Sequence, residues 1–381
     1  MRPAVGLRPR RPRRHTVGMD APAAIDDLAP QPLLQATALP ARFYAGAASA
    51  ARDREAVFAR SWQLLARSEQ LAVPGDHVVG EVAGVPLLLV RGEDGVLRAL
   101  HNVCRHRAGP LASCDGRAAR RLRCQYHGWT YALDGTLRSA PDMQAAPGFD
   151  VSGVRLPQAS VAEWKGLVFA ALQPAMRLEE LLEGIGERLG SNTLDRFRFH
   201  RRVAYDIACN WKVYVDNYLE GYHVPHIHPE LNRMLDYRSY STTCARWSSL
   251  QHSPLESTEA LYGSGEALYW FVWPNIALNV LPARVQVNSV LPLQDDRCRV
   301  VFDYYYPADA DPEALSAVHA SDHGFSDLVQ VQDVGMCETV QRNLASGSYV
   351  AGRLNPLRES GVHHFHELLR AAYRGEASRE A

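Results

Sequence analysis

Between Trp62 and about Ala171, short apolar runs alternate with turn residues. WQLLA, HVVGEVAG, VPLLLVRG and VLRALHNV are each cut off by Gly, Pro or Asp. Runs this short and closely spaced predict a small all-β domain. ALDGTL (132–137) adds an Asp-Gly pair between β-friendly residues, a hairpin signal. The pattern differs on both flanks. RFYAGAASAARDREAVFARSW (42–62) has helical apolar spacing and leads into a strand, and MRLEELLEGIGERL (176–189) carries Leu at helical spacing. From His200 onward helices and strands mix. WKVYVDNYLEGYH (211–223) predicts a helix; LYWFVWPNIALNVL (268–281), RVQVNSVLPL (284–293) and CRVVFDYYYP (298–307) predict strands. SDLVQVQDVGMCETVQRNLASG (326–347) predicts a long helix ending near Gly347, and GVHHFHELLRAAY (361–373) an amphipathic one. The expected parcels are 1–40, a disordered or loosely ordered extension; 41–61, a helical lead-in packed on the last parcel; 62–171, the β domain; and 172–381, an α+β domain.

Composition narrows the class. Apolar residues at 46% and charged residues at 22% describe a soluble globular chain, and a formal net charge of −1 gives no reason to expect nucleic acid. No apolar run approaches the roughly 20 residues of a membrane span. Seven cysteines in 381 residues is a sparse, odd count, which argues against a disulfide framework and for a reducing cytoplasm. The first eighteen residues hold six Arg and no acid. They are Pro-broken and Ser-free, unlike a transit peptide. A disordered extension ahead of a start at Met19 is the simplest reading, a basic arm the alternative.

The chemistry begins at CRHRAGPLASCDGRAARRLRCQYH (104–127). Zinc fingers pair Cys with Cys and His with His. Here Cys104 and His106 form one pair, and Cys124 and His127 the other. A two-iron cluster with two Cys on one iron and two His on the other needs each prong to reach both irons. The mixed spacing therefore points to a Rieske [2Fe-2S] centre. Cys114 lies between the prongs but off the pattern, as a loop thiol.

A second motif follows in NWKVYVDNYLEGYHVPHIHPEL (210–231). A helix running to about Tyr222 would put Glu220 and His223 on one face. Pro225 would break it and fold His228 back. Two His with one carboxylate form the facial triad of non-heme Fe(II) sites, which leaves coordination positions open. His226 is a competing candidate, three residues from His223. His363, His364 and His366 look like a metal tract but lie on the amphipathic C-terminal helix.

The two motifs in this order resemble the Rieske non-heme iron oxygenases, large (alpha) subunits, over about residues 40–375. The resemblance implies an α+β fold: an all-β Rieske domain at 62–171 and a helix-grip-like catalytic domain with a central antiparallel sheet at 172–381. It maps acid-x-x-His-x4-His onto Glu220, His223 and His228, and a distant Asp-x4-Glu-x2-Gln onto Asp333, Glu338 and Gln341. The implied iron ligands are His223, His228 and Asp333. Glu220 becomes a bridge between the iron and a neighbouring subunit's cluster, although many relatives have Asp there. The implied cofactors are one [2Fe-2S] cluster and one mononuclear iron per chain. The implied partners are a flavin/iron–sulfur reductase, with or without a ferredoxin, and further copies of the chain in a trimer. GIGERLG (184–190) is a poor dinucleotide fingerprint with no preceding strand, so NAD(P)H would act through that reductase.

HNVCRHRAGPLAS, ALYWFVWPNIALNVL and DRCRVVFDYYYP look most like the choline monooxygenase and betaine-demethylase branch. A quaternary ammonium wants aromatic faces. Tyr262, Tyr269, Trp270, Phe271 and Trp273 are available, though alternate members of such a strand also suit a core. Aromatic substrates stay open. Two other classes compete: an electron carrier using the cluster alone, and a zinc-stabilised binding protein without sulfide.

Overall fold

A computed structural model describes residues 25–190, 194–255, 264–308 and 312–376. Met1–Gly18, Met19 and Tyr262 lie outside the described residues.

Short strands do form where the turn-broken runs stand. β1 (Gln63–Arg67), β2 (His77–Val82), β3 (Val85–Arg91), β4 (Leu97–His101), β8 (Gln158–Trp164) and β9 (Leu167–Ala171) make one antiparallel sheet in the order β1-β9-β8-β4-β3-β2. Between β4 and β8 the chain leaves it to build a three-stranded sheet of β5 (Leu122–Arg123), β6 (Thr130–Tyr131) and β7 (Leu137–Ser139). The Asp134-Gly135 pair turns the chain between β6 and β7, with Gly135 at φ 86°.

The second half is a seven-stranded antiparallel sheet. Its strands are β10 (Phe197–Ile207), β11 (Ser241–Cys244), β12 (Ser248–Leu255), β13 (Gly265–Val272), β14 (Ile276–Leu281), β15 (Arg284–Gln294) and β16 (Arg297–Pro307), ordered β10-β16-β15-β14-β13-β12-β11. The helices are α1 (Ala47–Arg52), α2 (Leu178–Leu181), α3 (Ile185–Leu189), α4 (Trp211–Tyr218), α5 (Val224–Ile227), α6 (Pro229–Asn232), α7 (Pro312–Ala345) and α8 (Ser360–Arg374). The Leu-spaced stretch at 176–189 is two short helices, because Gly184 takes φ 76° between them. α7 is much longer than its sequence signal, and Gly347 follows it at φ 74°.

One large core joins the parts. Leu167, Phe169 and Ala171 of β9 share it with Trp211 of α4, Trp273, Phe365 of α8 and the N-terminal Phe43 and Phe58. Ala36 and Leu39 are fully buried in it, so the latter part of the expected loose extension is packed structure. Buried apolar area drives this docking at roughly 25 cal/mol per Å².

A buried acid fixes α4. Asp53 accepts from Trp211 Nε1 at 2.8 Å, and Lys212 Nζ and Tyr373 Oη also contact it. A buried charge pair stands only with such extra donors. Asn210 caps α4, accepting from Lys212 N at 3.0 Å. Glu338 and Gln341 tie α7 to the same corner: Ala208 N donates to Glu338 and Asn210 N to Gln341. α4 and α7 are thereby held side by side over the sheet.

Candidate active site

The two Cys-His prongs fold as equivalent loops. In the first, Cys104 N donates to Gly109 O at 2.8 Å and Ala108 N to Cys104 O at 3.0 Å. In the second, Cys124 N donates to Trp129 O at 2.9 Å and Gly128 N to Cys124 O at 3.0 Å. Ala108 and Gly128 occupy the same left-handed position, φ 57° and 74°. Gly109 has a separate reason to be glycine, since a Cβ there would stand 2.8 Å from Cys124 Sγ.

Both cysteines are buried and both histidines exposed. The imidazole rings of His106 and His127 lie 4.6 Å apart, and Trp129 stacks on His106 at 4.9 Å. Tyr131 Oη sits 3.3 Å from Cys104 Sγ and accepts from Arg105 N. Burial first, then the neighbouring sulfur, pushes its phenol above the ordinary range, so it remains a neutral donor. The two prongs' donors do not converge as tightly as single-ion ligands; among the described residues, one trio has ligand atoms all within 4.8 Å, and it lies elsewhere. Two thiolates and two imidazoles on separate prongs fit a two-iron cluster better than one zinc ion.

That trio is His223, His228 and Asp333. Asp333 Oδ1 lies 2.9 Å from His228 Nε2 and 3.8 Å from His223 Nε2. Each member has a further partner. Glu220 Oε1 takes His223 Nδ1 at 2.6 Å, Gln332 Oε1 takes His228 Nδ1 at 2.7 Å, and Asn217 Nδ2 donates to Asp333 Oδ1 at 2.7 Å. These bonds protonate both Nδ1 atoms and leave both Nε2 atoms aimed at the carboxylate. Burial opposes charge on His228, but its bonds to Asp333 and Gln332 outweigh that and raise its pKa. A site that draws a proton in this way suits a cation.

The local route differs from the sequence expectation. α4 stops at Tyr218, before Glu220, so no helix face carries Glu220 and His223. Instead Glu220 Oε2 accepts from the backbone N–H groups of Tyr222 and His223, wrapping the turn onto its own side chain. Pro225 opens α5 rather than breaking a helix, a position where its missing N–H is harmless. Gly221 admits no side chain, because a Cβ would meet the Tyr240 ring at 2.8 Å. His226 is exposed. The C-terminal histidines diverge: His363 bonds Gln31 O at 2.6 Å, while His366 is buried against Asp216 and Tyr44. Cys114 is exposed and free.

A cavity of about 140 Å³ opens beside the trio. Its aromatic lining is Tyr214, Tyr218, Tyr240, Tyr269, Phe302 and Phe325. Trp270 and Trp273, expected in the pocket, are packed in the core instead, at 4% and 2% exposure, and line no part of it. Phe271 also belongs to the core, 5.4 Å from Phe365. β13 is apolar on both faces, so alternation in sequence could not tell the cavity side from the core side. Asn217, Gln332, Gly109 and Gly221 were not singled out by sequence reasoning; only Gln332, next to Asp333, had a local signal.

Comparison with known proteins agrees with this geometry. A Rieske [2Fe-2S] domain model matches residues 61–158, and a ring hydroxylating alpha subunit (catalytic domain) model matches 194–375. The chain is 37% identical to choline monooxygenase, chloroplastic, of Arabidopsis thaliana, over 89% of this chain and 83% of that protein. It is 31% identical to the carnitine monooxygenase oxygenase subunit of Escherichia coli (strain K12), over 89% and 95%. A solved quaternary ammonium Rieske monooxygenase, described for carnitine oxidation and inter-subunit electron transfer, superposes with a TM-score of 0.81 at 27% identity, covering 91% of this chain and 99% of that one. With both domains in order and relatives matched along most of their length, the chain belongs to the Rieske non-heme iron oxygenases, as an oxygenase (alpha) component.

Proposed function

We propose that this oxygenase oxidises a quaternary ammonium compound at the cavity beside His223, His228 and Asp333. The carrying observation is that cavity's lining. Tyr218, Tyr240, Tyr269, Phe302 and Phe325 line a space that opens on the trio. Aromatic faces attract a tetraalkylammonium, worth about 2 kcal/mol when desolvated. Burial raises the phenols of Tyr218, Tyr240 and Tyr269, so they stay neutral. The relatives named for choline and carnitine support the same class.

Cys104, Cys124, His106 and His127 would hold the [2Fe-2S] cluster, and His223, His228 and Asp333 the mononuclear iron. When bound, the cluster supplies single electrons and the iron a place where O₂ is reduced beside the substrate. The protein's part is orientation. Glu220 and Gln332 fix the imidazole tautomers, and Asn217 fixes the carboxylate. The aromatic walls would shield the substrate from water and hold a methyl group toward the trio. Electrons would come from NAD(P)H through a separate flavin/iron–sulfur reductase. The exposed edges of His106 and His127 suit delivery to the Glu220 of another copy, in a homotrimer. Seven free cysteines suit a reducing cytoplasm, and no helix among the described residues is long and apolar enough to cross a membrane.

The test has two parts. Iron and acid-labile sulfide should read about three and two per chain; two and two would mean an electron carrier. Turnover with a generic reductase should favour quaternary amines over aromatic acids, and the reverse preference would overturn the assignment.

A further inference from the structure

Placing one oxygen atom of O₂ in a C–H bond and the other in water consumes electrons and protons together: R–H + O₂ + 2e⁻ + 2H⁺ → R–OH + H₂O. The cavity beside the trio has few groups that could trade those protons. Apart from the trio and Glu220, its titratable lining is Arg284, which stays charged, and the phenols of Tyr214, Tyr218, Tyr240 and Tyr269, all raised by burial. Glu220 is committed to the backbone N–H groups of Tyr222 and His223 and to the His223 ring.

A second cavity, of about 390 Å³, shares a wall with the first: Asn217 and Glu220 line both. Met336 and Asn343, which also line it, are exposed, so it reaches solvent. Its polar groups are connected. Tyr44 Oη donates to Asp216 Oδ2 at 2.6 Å, and His366 Nε2 stands 3.0 Å from Asp216 Oδ1. Because the Tyr44 hydrogen goes to Asp216, the His366 ring gives its own to Asp216 from Nε2. His366 is fully buried, and among the described residues its Nδ1 has no partner. A buried ring nitrogen without a partner is unfavourable unless water or a proton completes it. A polar cavity of this size has room for that water. Glu359 precedes α8 on the same cavity, and its Oε2 accepts from Asn355 N. Burial raises the Glu359 carboxyl, and the charges of Glu220 and Asp216 add to this; the Asn355 N–H and His366 act the other way. Tyr44, Tyr349 and Cys337 complete the titratable lining.

Resting on the iron reading of the trio, we propose that the second cavity feeds protons to the first. Glu359 and the Asp216–His366 pair take them from solvent and pass them, by way of water in the cavity, to the wall at Asn217 and Glu220. A raised carboxyl exchanges protons far more readily near neutrality than the phenols of the first cavity. The electrons and O₂ of the equation enter by the route already given; these residues move protons alone.

The experiment uses the metal-loaded oxygenase. Infrared difference spectra against pH, taken at rest, should show a protonated carboxyl that titrates above the ordinary carboxylate range and is lost in Glu359→Gln. The same band persisting in the variant would overturn the assignment. Turnover is read with the generic reductase and choline, or carnitine where choline is not oxidised. Glu359→Gln should lower kcat by about 100-fold, the lower end of what a positioned proton donor contributes. KM and iron content should not change, and the solvent deuterium isotope effect should grow. Asp216→Asn, on the other arm of the relay, should enlarge the isotope effect as well. A fall in kcat without a larger isotope effect, or with iron lost, would make these residues structural and overturn the relay. The infrared band reads Glu359 whether or not the trio holds iron, and iron content by itself tests the trio.

Discussion

The two candidate metal-binding regions solve opposite problems. The Cys-His prongs are local: two matching loops within residues 104–129, each closed by its own backbone bonds, with histidines facing outward. The His223–His228–Asp333 trio is assembled across more than a hundred residues, faces inward, and depends on a partner side chain for each member. An electron relay needs fixed geometry and an exposed edge. A site for oxygen chemistry needs cover and oriented ligands. Rigidity comes from backbone in one case and from side chains on several elements in the other. The prongs should therefore fail locally, and the trio should be sensitive to residues that never touch metal.

The sharpest way to break this contrast is a paired substitution. Cys124→Ser should erase the cluster's visible absorbance and leave at most one iron per chain. His223→Ala should keep the colour, drop iron from three to two, and reduce turnover by a factor of about 10³ or more, the scale of losing an essential group. Turnover surviving His223→Ala would refute the iron assignment. A finer cut is Glu220→Gln. The amide can still accept from the neighbouring backbone but loses the charge facing His223, so both metals should stay and turnover should fall about 10- to 100-fold, the usual effect of an outer-shell change. Rapid-mixing spectra should show the cluster reduced but slow to reoxidise with substrate and O₂; a normal reoxidation rate would remove Glu220 from the electron path. The smallest effects lie within one prong. Gly109→Ala pushes a methyl into Cys124 Sγ and should lower cluster content. Ala108→Gly relieves a left-handed alanine and should raise stability by about 1 kcal/mol or less, with the spectrum unchanged. Thermal melts with absorbance of the same samples check both, and equal effects would deny that Gly109 is there for the sulfur.

This difference also explains what could be read from the chain. The prongs are legible because ligand chemistry dictates their spacing within one short segment. The strands of the first domain are legible because turns interrupt them. Asp333 carried no signal of its own, and only the resemblance singled it out, because proximity to His223 is created by α7 crossing α4. Helix limits near the trio differ from the sequence expectation for the same reason: Glu220 spends its side chain on the turn after Tyr218, where helical spacing predicts continuation. Trp270 and Trp273 show another limit. A large aromatic residue suits a cation cage and a core equally, and only the tertiary face decides.

α7 runs for 34 residues without interruption, and its side chains from Phe325 to Asp333 line the cavity. It acts as a ruler with a graduation every 1.5 Å or so. Asp333 marks zero, and Gln330 and Ser326 follow at roughly one-turn steps along the cavity's lining. A lining residue moved along it by one such step would shift that part of the cavity wall by about 5 Å and leave the zero mark in place. The cavity's wall and the trio's carboxylate stand on one rod, and either can be altered without moving the other.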